Sequence, residues 1–265
     1  MSARIAFVVS RPWSRDSVFP RVVARLWTER AKVWITARPA GDELRKADVV
    51  VLGAHAPDRA AALAEQPARA GIRCCNTPAA TAAAADKRAC ERALAAARVA
   101  RPETRELPSW DEVLAVARDA RVVVKPATRL NGRGVLADGR LPSTAPFPGP
   151  YVVQERVAHD GLDRKLYVVG DDVRGVLRRW PWRSHDEKLG RTFTPDDALR
   201  ALALRAGSAL GLELYGVDVL VGPAGPVVVD VNALPGYKGV PDADELLARY
   251  VLRAAREERD ARCAR

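Results

Sequence analysis

The sequence predicts an α/β protein, with a small open parallel sheet first and a region of antiparallel strands after it. Three observations carry that expectation. Short apolar runs alternate with helical patterns from the N-terminus to about Asn76, and such alternation builds parallel sheets. From Arg121 onward the chain reads as strands and turns. Near the end, the apolar, β-branched run Tyr215–Val221 and a second one starting at Val227 flank Gly222-Pro-Ala-Gly-Pro226, which is turn chemistry.

The elements follow in order. Ile5–Ser10, Lys32–Ala37, Asp48–Ala54 and Ile72–Asn76 are the short strands, with helical patterns at Ser17–Arg30 and Asp58–Ala70 between them. Thr77-Pro78 supplies an N-cap and a first helical position for an Ala-rich helix running to about Ala97. Arg101–Pro108 reads as a linker and Trp110–Ala120 as a short helix. Val122–Ala127, Val135–Ala137, Tyr151–Val157, Lys165–Gly170 and Val173–Arg179 are strand candidates, and Leu141–Pro150 is a connecting loop. Thr194-Pro-Asp-Asp197 caps a helix to about Leu210. The Gly222–Pro226 hairpin comes next, and Asp242–Arg259 closes the chain as a helix.

With 265 residues, 48% hydrophobic and 29% charged, the chain can bury a real core. No apolar run approaches a membrane span, and the N-terminus reads as a first strand, not a signal peptide. Cys74, Cys75, Cys90 and Cys263 fit no zinc spacing and read as reduced thiols of a cytoplasmic protein. The net charge of +10 comes almost wholly from arginine spread along the chain. It favours acidic small molecules such as ATP, a carboxylate or a phosphate. No basic helix or aromatic-studded basic strand stands out, so nucleic acid is not the expected partner.

A hairpin centred on Ala224 puts Asp218 opposite Asp230, and alternation puts Asn232 on the face of Asp230. Two facing carboxylates repel unless something positive sits between them. Two Asp and an Asn carbonyl are hard oxygen ligands that suit Mg²⁺ holding nucleotide phosphates. A solvated face, or two salt-bridge partners, is the alternative. Lys125 stands alone in the apolar run Val122-Val-Val-Lys-Pro126, either snorkelling at a strand end or facing an anion. In the stretch after it, Gly132 and Gly134 let backbone N–H groups approach phosphate oxygens, or simply make a tight turn.

Together these motifs resemble those of ATP-grasp enzymes, most closely the RimK-like carboxylate–amine ligases, with features of inositol trisphosphate kinases. Asn76-Thr-Pro78 leading to Asp86-Lys87 resembles the family's entry helix. Val124-Lys-Pro126 and Asn131-Gly-Arg-Gly-Val135 resemble its lysine strand and phosphate loop, and Tyr151–Val157 its adenine hinge. Asp163–Gly170 resembles the strand that follows. Gly216-Val-Asp218, Asp230-Val-Asn232 and Pro235-Gly236 resemble its metal hairpin and the turn after it. The matches run in the family's order from about Asn76 to Asp242.

The resemblance implies an ATP-grasp fold with a Rossmann-like parallel α/β domain over 1–77, a central lid lobe over 78–155 and a C-terminal lobe over 156–265. The segment from Val122 to about Pro150 would be the moving lid. ATP and Mg²⁺ (or Mn²⁺) are the implied cofactors. Lys125 would contact the α-phosphate and adenine side, with Lys87 a second positive contact and Asn131, Gly132 and Gly134 along the phosphates. Gln154, Glu155 and the backbone of Arg156 and Val157 would hold adenine. Asp163 would reach the ribose, and Asp218, Asp230 and Asn232 would ligate the metal.

Three departures stand out. Thr128-Arg-Leu130 lies where a further glycine is common. Lys165, a nucleotide contact, stands where the ligases usually have arginine and the kinases more often lysine. Arg178-Arg-Trp-Pro-Trp-Arg-Ser-His185 resembles the ligases' Arg…Arg-Ser-Asn segment with His185 in place of Asn. Arg183 and Ser184 would meet the γ-phosphate, and Arg178 or Arg179 would stabilise an oxyanion. The alternative for this segment is a strand packing its tryptophans on the core.

The implied activity joins a small-molecule carboxylate, or a peptide, to an amine through an acyl phosphate. The alternative is an ATP-grasp kinase acting on a polyhydroxy or inositol phosphate acceptor. A homodimer is compatible with either, and no membrane association is expected. His55 and His159 read as loop or surface residues, and Trp13 and Trp27 as core or interface.

Overall fold

A computed structural model of the chain describes residues 2–9, 13, 16–37, 44–53, 71–128, 135–136, 141–180 and 184–263. The predicted helix over Asp58–Ala70, His55 and most of the phosphate loop lie outside them.

The first layer is a four-stranded parallel sheet in the order β2-β1-β3-β4, from β1 (Arg4–Val8), β2 (Lys32–Thr36), β3 (Val49–Leu52) and β4 (Arg73–Cys75). Helix α1 (Phe19–Thr28) covers one face with Phe19, Val22, Val23 and Leu26. The C-terminal helix α7 (Ala243–Cys263) packs beside α1 on that face. Ile5, Phe7, Val49 and Val51 share one core with Leu247 and Val251 of α7 and with Tyr167 and Tyr237. The first sheet is therefore closed by the last helix, a pairing across the whole chain that local patterns do not announce.

The second layer is a three-stranded antiparallel sheet, β5-β7-β6, from β5 (Thr104–Leu107), β6 (Val122–Pro126) and β7 (Tyr151–Glu155). Helix α4 (Trp110–Asp119), capped by Ser109 on the Glu112 N–H, lies against it. Val124, Tyr151 and Val153 face Trp110, Val113 and Phe147, while Val123, Lys125 and Gln154 point the other way. The stretch expected to be a linker thus contributes an edge strand, and of Val135–Ala137 the described part is a single bridge from Leu136 to Val124.

The third layer is a five-stranded antiparallel sheet in the order β10-β9-β8-β11-β12. Its strands are β8 (Leu162–Val169), β9 (Asp172–Arg179), β10 (Arg191–Phe193), β11 (Leu214–Gly222) and β12 (Gly225–Ala233). One face carries Leu166, Val168, Val217, Val219, Val228 and Val231, packed on helix α6 (Asp197–Leu210) and on the helices after β4. Burying side chains of this size contributes about 1.5–3 kcal/mol each. The opposite face carries charge.

The Ala-rich helix is not continuous. It divides into α2 (Pro78–Ala85), capped by Thr77, and α3 (Lys87–Ala96), capped by Asp86. Asp86 is extended and bridges to Thr128, and its carboxylate accepts from the Arg88 and Ala89 N–H groups. A good N-cap inside a run of helix formers restarts the helix. Ala80, Ala84, Cys90 and Leu94 of these helices pack in the core of the third layer, so they belong with residues 156–265 and not with the lobe drawn from 78 to 155. Among the described residues no helix is long and apolar enough to cross a membrane.

Asn76 ties the first layer to the third. Fully buried, its Nδ2 donates to the Leu214 carbonyl (2.7 Å) and its Oδ1 accepts from the Glu213 and Leu214 N–H groups (2.7 and 2.8 Å). Asn76→Ala leaves two backbone N–H groups without that acceptor and is expected to cost about 2–4 kcal/mol, measured by urea denaturation. A loss below about 0.5 kcal/mol would mean the clasp is dispensable.

Candidate active site

The charged face of the third sheet lies opposite the free face of the second across a cavity of about 400 Å³. Strand alternation puts Asp163, Lys165, Asp218, Asp230 and Asn232 on its floor and Val123, Lys125 and Gln154 on its roof, and all of them line it. Lys87, at the start of α3, closes one side. Glu155, Arg156, Val157 and His159, on the chain leaving β7, line another, with Trp180 also at the wall.

Asp218 does pair with Asp230 across the hairpin. The turn itself is tighter than a loop centred on Ala224, with Gly222 opposite Gly225, and a bulge beyond Asp218 takes up one residue, so that Val219 faces Val228. The extra residue is Val229. A bulge frees a backbone group from the ladder, and the Val229 carbonyl accepts from Lys125 Nζ at 2.6 Å. The lysine of the second sheet is thereby docked onto the Asp218/Asp230 hairpin of the third.

Each carboxylate of the pair has its own cation. Lys87 Nζ donates to Asp230 Oδ1. Lys165 Nζ stands 2.6 Å from Asp218 Oδ1, an ion pair outside hydrogen-bond direction. Asn232 Nδ2 donates to Asp230 Oδ2 at 3.0 Å. Burial by itself raises the Asp230 carboxyl, but Lys87 and Lys125 overcome it and hold the group well below the usual carboxylate range. Burial pushes the Lys125 ammonium down, against the pull of Asp230. For Lys165 the Asp218 charge outweighs burial and raises it.

Asp163 is engaged by protein. Its Oδ2 accepts from Arg178 Nη2 at 2.5 Å, across the β8–β9 register that pairs the two residues. Burial and the nearby Asp218 both push the Asp163 carboxyl up. Arg178 is raised, Asp163 overcoming burial. Arg179, next in the strand, is exposed and points to the other face. The structure thus brings Arg178, and not Arg179, to the charged floor.

The other expected residues divide. Ser184 is exposed and caps helix α5 (His185–Leu189), its Oγ accepting from the Glu187 N–H. Gln154 donates its amide to Glu91 and Thr104, and the Arg156 N–H bonds to the Arg121 carbonyl. Asn131, Gly132, Gly134 and Arg183 lie outside the described residues. Trp180 is 44% exposed at the cavity, not packed in the core. His159 is a loop residue, as expected, but one that lines the cavity. Trp13 stacks on Phe19 in the first core, whereas Trp27 is exposed. Glu91 is invisible to pattern reading, because one acid in an Arg- and Ala-rich helix looks like a solvated face.

Among the described residues no three His, Cys, Asp or Glu side chains converge as a metal cluster. The Asp218, Asp230 and Asn232 set contains two carboxylates and an amide, and it still suits a hard cation. Asp163 Oδ1 and Asp218 Oδ1 are buried without a hydrogen-bond partner. Buried polar atoms are normally bonded, so the Asp163 Oδ1 without a partner, beside an Asp218 Oδ1 that has only the Lys165 ammonium, fits a further cation on this floor.

The lysine pairing changes the expected effect of removing one carboxylate. Relief of repulsion alone would make Asp230→Asn harmless to the fold, yet it would strand Lys87 and Lys125 beside a neutral amide. The Asp230 side chain keeps 27% of its exposure, through the cavity. The expected loss is therefore about 1–3 kcal/mol, below that for breaking a fully buried pair. Because the folded carboxyl is depressed, its stabilisation is complete above the unfolded value of about 3.9 and lost as pH falls through the folded value. The gap between wild type and Asp230→Asn in urea should be widest near neutral pH and close below about pH 4. A pH-independent gap would contradict the pairing.

Residues 84–250 match the family model of the RimK-like ATP-grasp domain. A probable alpha-L-glutamate ligase of Sodalis glossinidius (strain morsitans) is 33% identical over 149 residues, covering 51% of this chain and 50% of that protein. The chain spans about half the length of the curated relatives it matches. A RimK domain ATP-grasp protein from Sphaerobacter thermophilus DSM 20745 superposes with a TM-score of 0.70 at 23% identity, over 94% of this chain and 100% of that one. The ATP-grasp ligase PsnB, solved with minimal precursor, Mg and ADP, gives 0.65 at 16% identity, over 95% and 97%. The fold is the one these structures share, and the chain belongs to the RimK-like ATP-grasp family.

Proposed function

We propose that the protein is an ATP-dependent carboxylate–amine ligase that forms a C–N bond through an acyl phosphate, releasing ADP and phosphate. The observation that carries the reading is the cavity between the two sheets, in which Lys125 and Lys87 reach the Asp218/Asp230 hairpin. The names of the curated relatives favour ligation over phosphorylation of a polyhydroxy acceptor, and make L-glutamate the first amine to try.

Lys125, Lys87 and Lys165 would hold the phosphates, and the apolar wall formed by Val123, Val157, Leu220 and Val229 would take the base. Asp163 would face the ribose. Asp218, Asp230 and Asn232 would hold Mg²⁺ or Mn²⁺, which supplies charge neutralisation for the γ-phosphoryl group. Arg178 would stabilise negative charge on the acyl centre. Ligation would require the walls to keep water from a phosphorylated carboxylate, which hydrolyses readily. ATP use and the buried thiols of Cys74, Cys75 and Cys90 fit a cytoplasmic site of action.

The test is phosphate release from ATP and Mg²⁺ with pooled carboxylates and L-glutamate. Release that requires both a carboxylate and an amine is expected; a phosphorylated acceptor formed without an amine would overturn ligation. Lys125→Ala should weaken ATP binding by about 1–3 kcal/mol, the range of charge-assisted contacts. Unchanged affinity by calorimetry would remove Lys125 from the nucleotide site.

A further inference from the structure

Gln154 is only 2% exposed, yet it lines the nucleotide cavity. It sits at the middle of the second sheet, opposite Thr104 on one side and Val123 on the other. Its Nε2 donates to Glu91 Oε1 at 2.7 Å and to Thr104 Oγ1 at 3.3 Å. An amide nitrogen carries two hydrogens, and both are engaged. The one remaining polar atom of the side chain is the carbonyl Oε1.

The orientation follows from the chemistry of Glu91. An ionised carboxylate only accepts, so the end of Gln154 that meets Glu91 must be the NH₂ end. Thr104 Oγ1 gives its one hydrogen to the Pro102 carbonyl at 3.0 Å, so it too accepts from the NH₂ end, at the longer 3.3 Å. Glu91 belongs to α3, which packs with the third layer, and its side chain is mostly buried. Arg101 Nη1 stands 3.4 Å from Glu91 Oε2. Burial raises the Glu91 carboxyl, while Lys125 and Arg101 favour its charged form.

We propose that Glu91 is a positioning residue that fixes the Gln154 amide so that its carbonyl faces the nucleobase, selecting a 6-amino purine over a 6-oxo purine. The inference rests on the nucleotide reading of the cavity. An exocyclic amine donates to the Gln154 carbonyl. A 6-oxo group in the same place sets two acceptors against each other, which leaves both unpaired. Without the carboxylate only the longer Thr104 contact holds the NH₂ end, and the amide turns more readily to offer N–H to the base.

The experiment is calorimetric titration with ADP and with IDP, which differ at the 6-position and in the N1 proton. Wild type should prefer ADP by at least about tenfold, a 1.4 kcal/mol difference. In Glu91→Ala the preference should fall at least fivefold, with IDP affinity held or improved. A merely structural or electrostatic role would weaken both nucleotides alike and leave their ratio intact, because the phosphates are common to both. That result, in a folded variant, overturns the proposal. Should Glu91→Ala not fold, the nearly isosteric Glu91→Gln serves. Its neutral amide presents either end to Gln154, so the ratio should fall at least twofold, and an unchanged ratio is again disproof. Tight ADP binding without preference over IDP in wild type defeats this inference but spares the proposed function. Binding of neither nucleotide defeats both.

Discussion

The structure turns on the electrostatics of one strand pair. Asp218 and Asp230 face each other in the hairpin, and that arrangement persists because lysines from three separate elements meet it. Lys165 comes from the neighbouring strand, Lys87 from the helix after the first domain, and Lys125 from the opposing sheet. Each carries its apolar stem inside and its charge to the floor of the cavity. Opposite charges at this spacing, partly shielded from water, are worth far more than surface pairs and far more costly to leave alone. The hairpin therefore draws the lobes together before any ligand arrives, and a nucleotide with its cation would exchange these pairings for its own.

The two facing sheets share one construction. Each alternates apolar and polar residues, with the apolar side sealed by a helix layer, α4 for one and α6 with α2 and α3 for the other. The polar sides then have no place to go except toward each other. A cavity between two sheets is the outcome, roofed by Val123, Lys125 and Gln154 and floored by the charged row. The bulge at Val229 adds a detail that pure alternation lacks, a carbonyl released from the ladder and offered to Lys125.

Much of this is legible in the residues. Turn chemistry at Gly222–Pro226 locates the hairpin, and period-2 patterning sets Asp230 and Asn232 on one face. The partner of Asp218 comes out correctly although the turn is one step tighter than symmetry about Ala224 implies, because the bulge restores the offset. Thr104–Leu107 does not read as a strand, since its polar sequence between Pro102 and Pro108 has no apolar alternation; it is an edge strand held by β7. The break at Asp86 escapes pattern reading because helix propensity is summed over a window, while a cap acts at a single residue.

What the sequence alone determined is what local physics dictates. Strand and helix periods, the turn, the caps and the residue types of the floor are all set by neighbours along the chain, as is the resemblance those motifs carry in their order. Only the tertiary structure decided which charges meet. Gln154 is bound by Glu91, Asp230 by Lys87, the Val229 carbonyl by Lys125, and helix α7 closes a sheet made of the first residues. The side-chain partners lie from 63 to over 140 residues apart. No spacing rule links them, because a contact between distant segments depends on how layers stack, and that is settled by the burial of all their apolar faces at once.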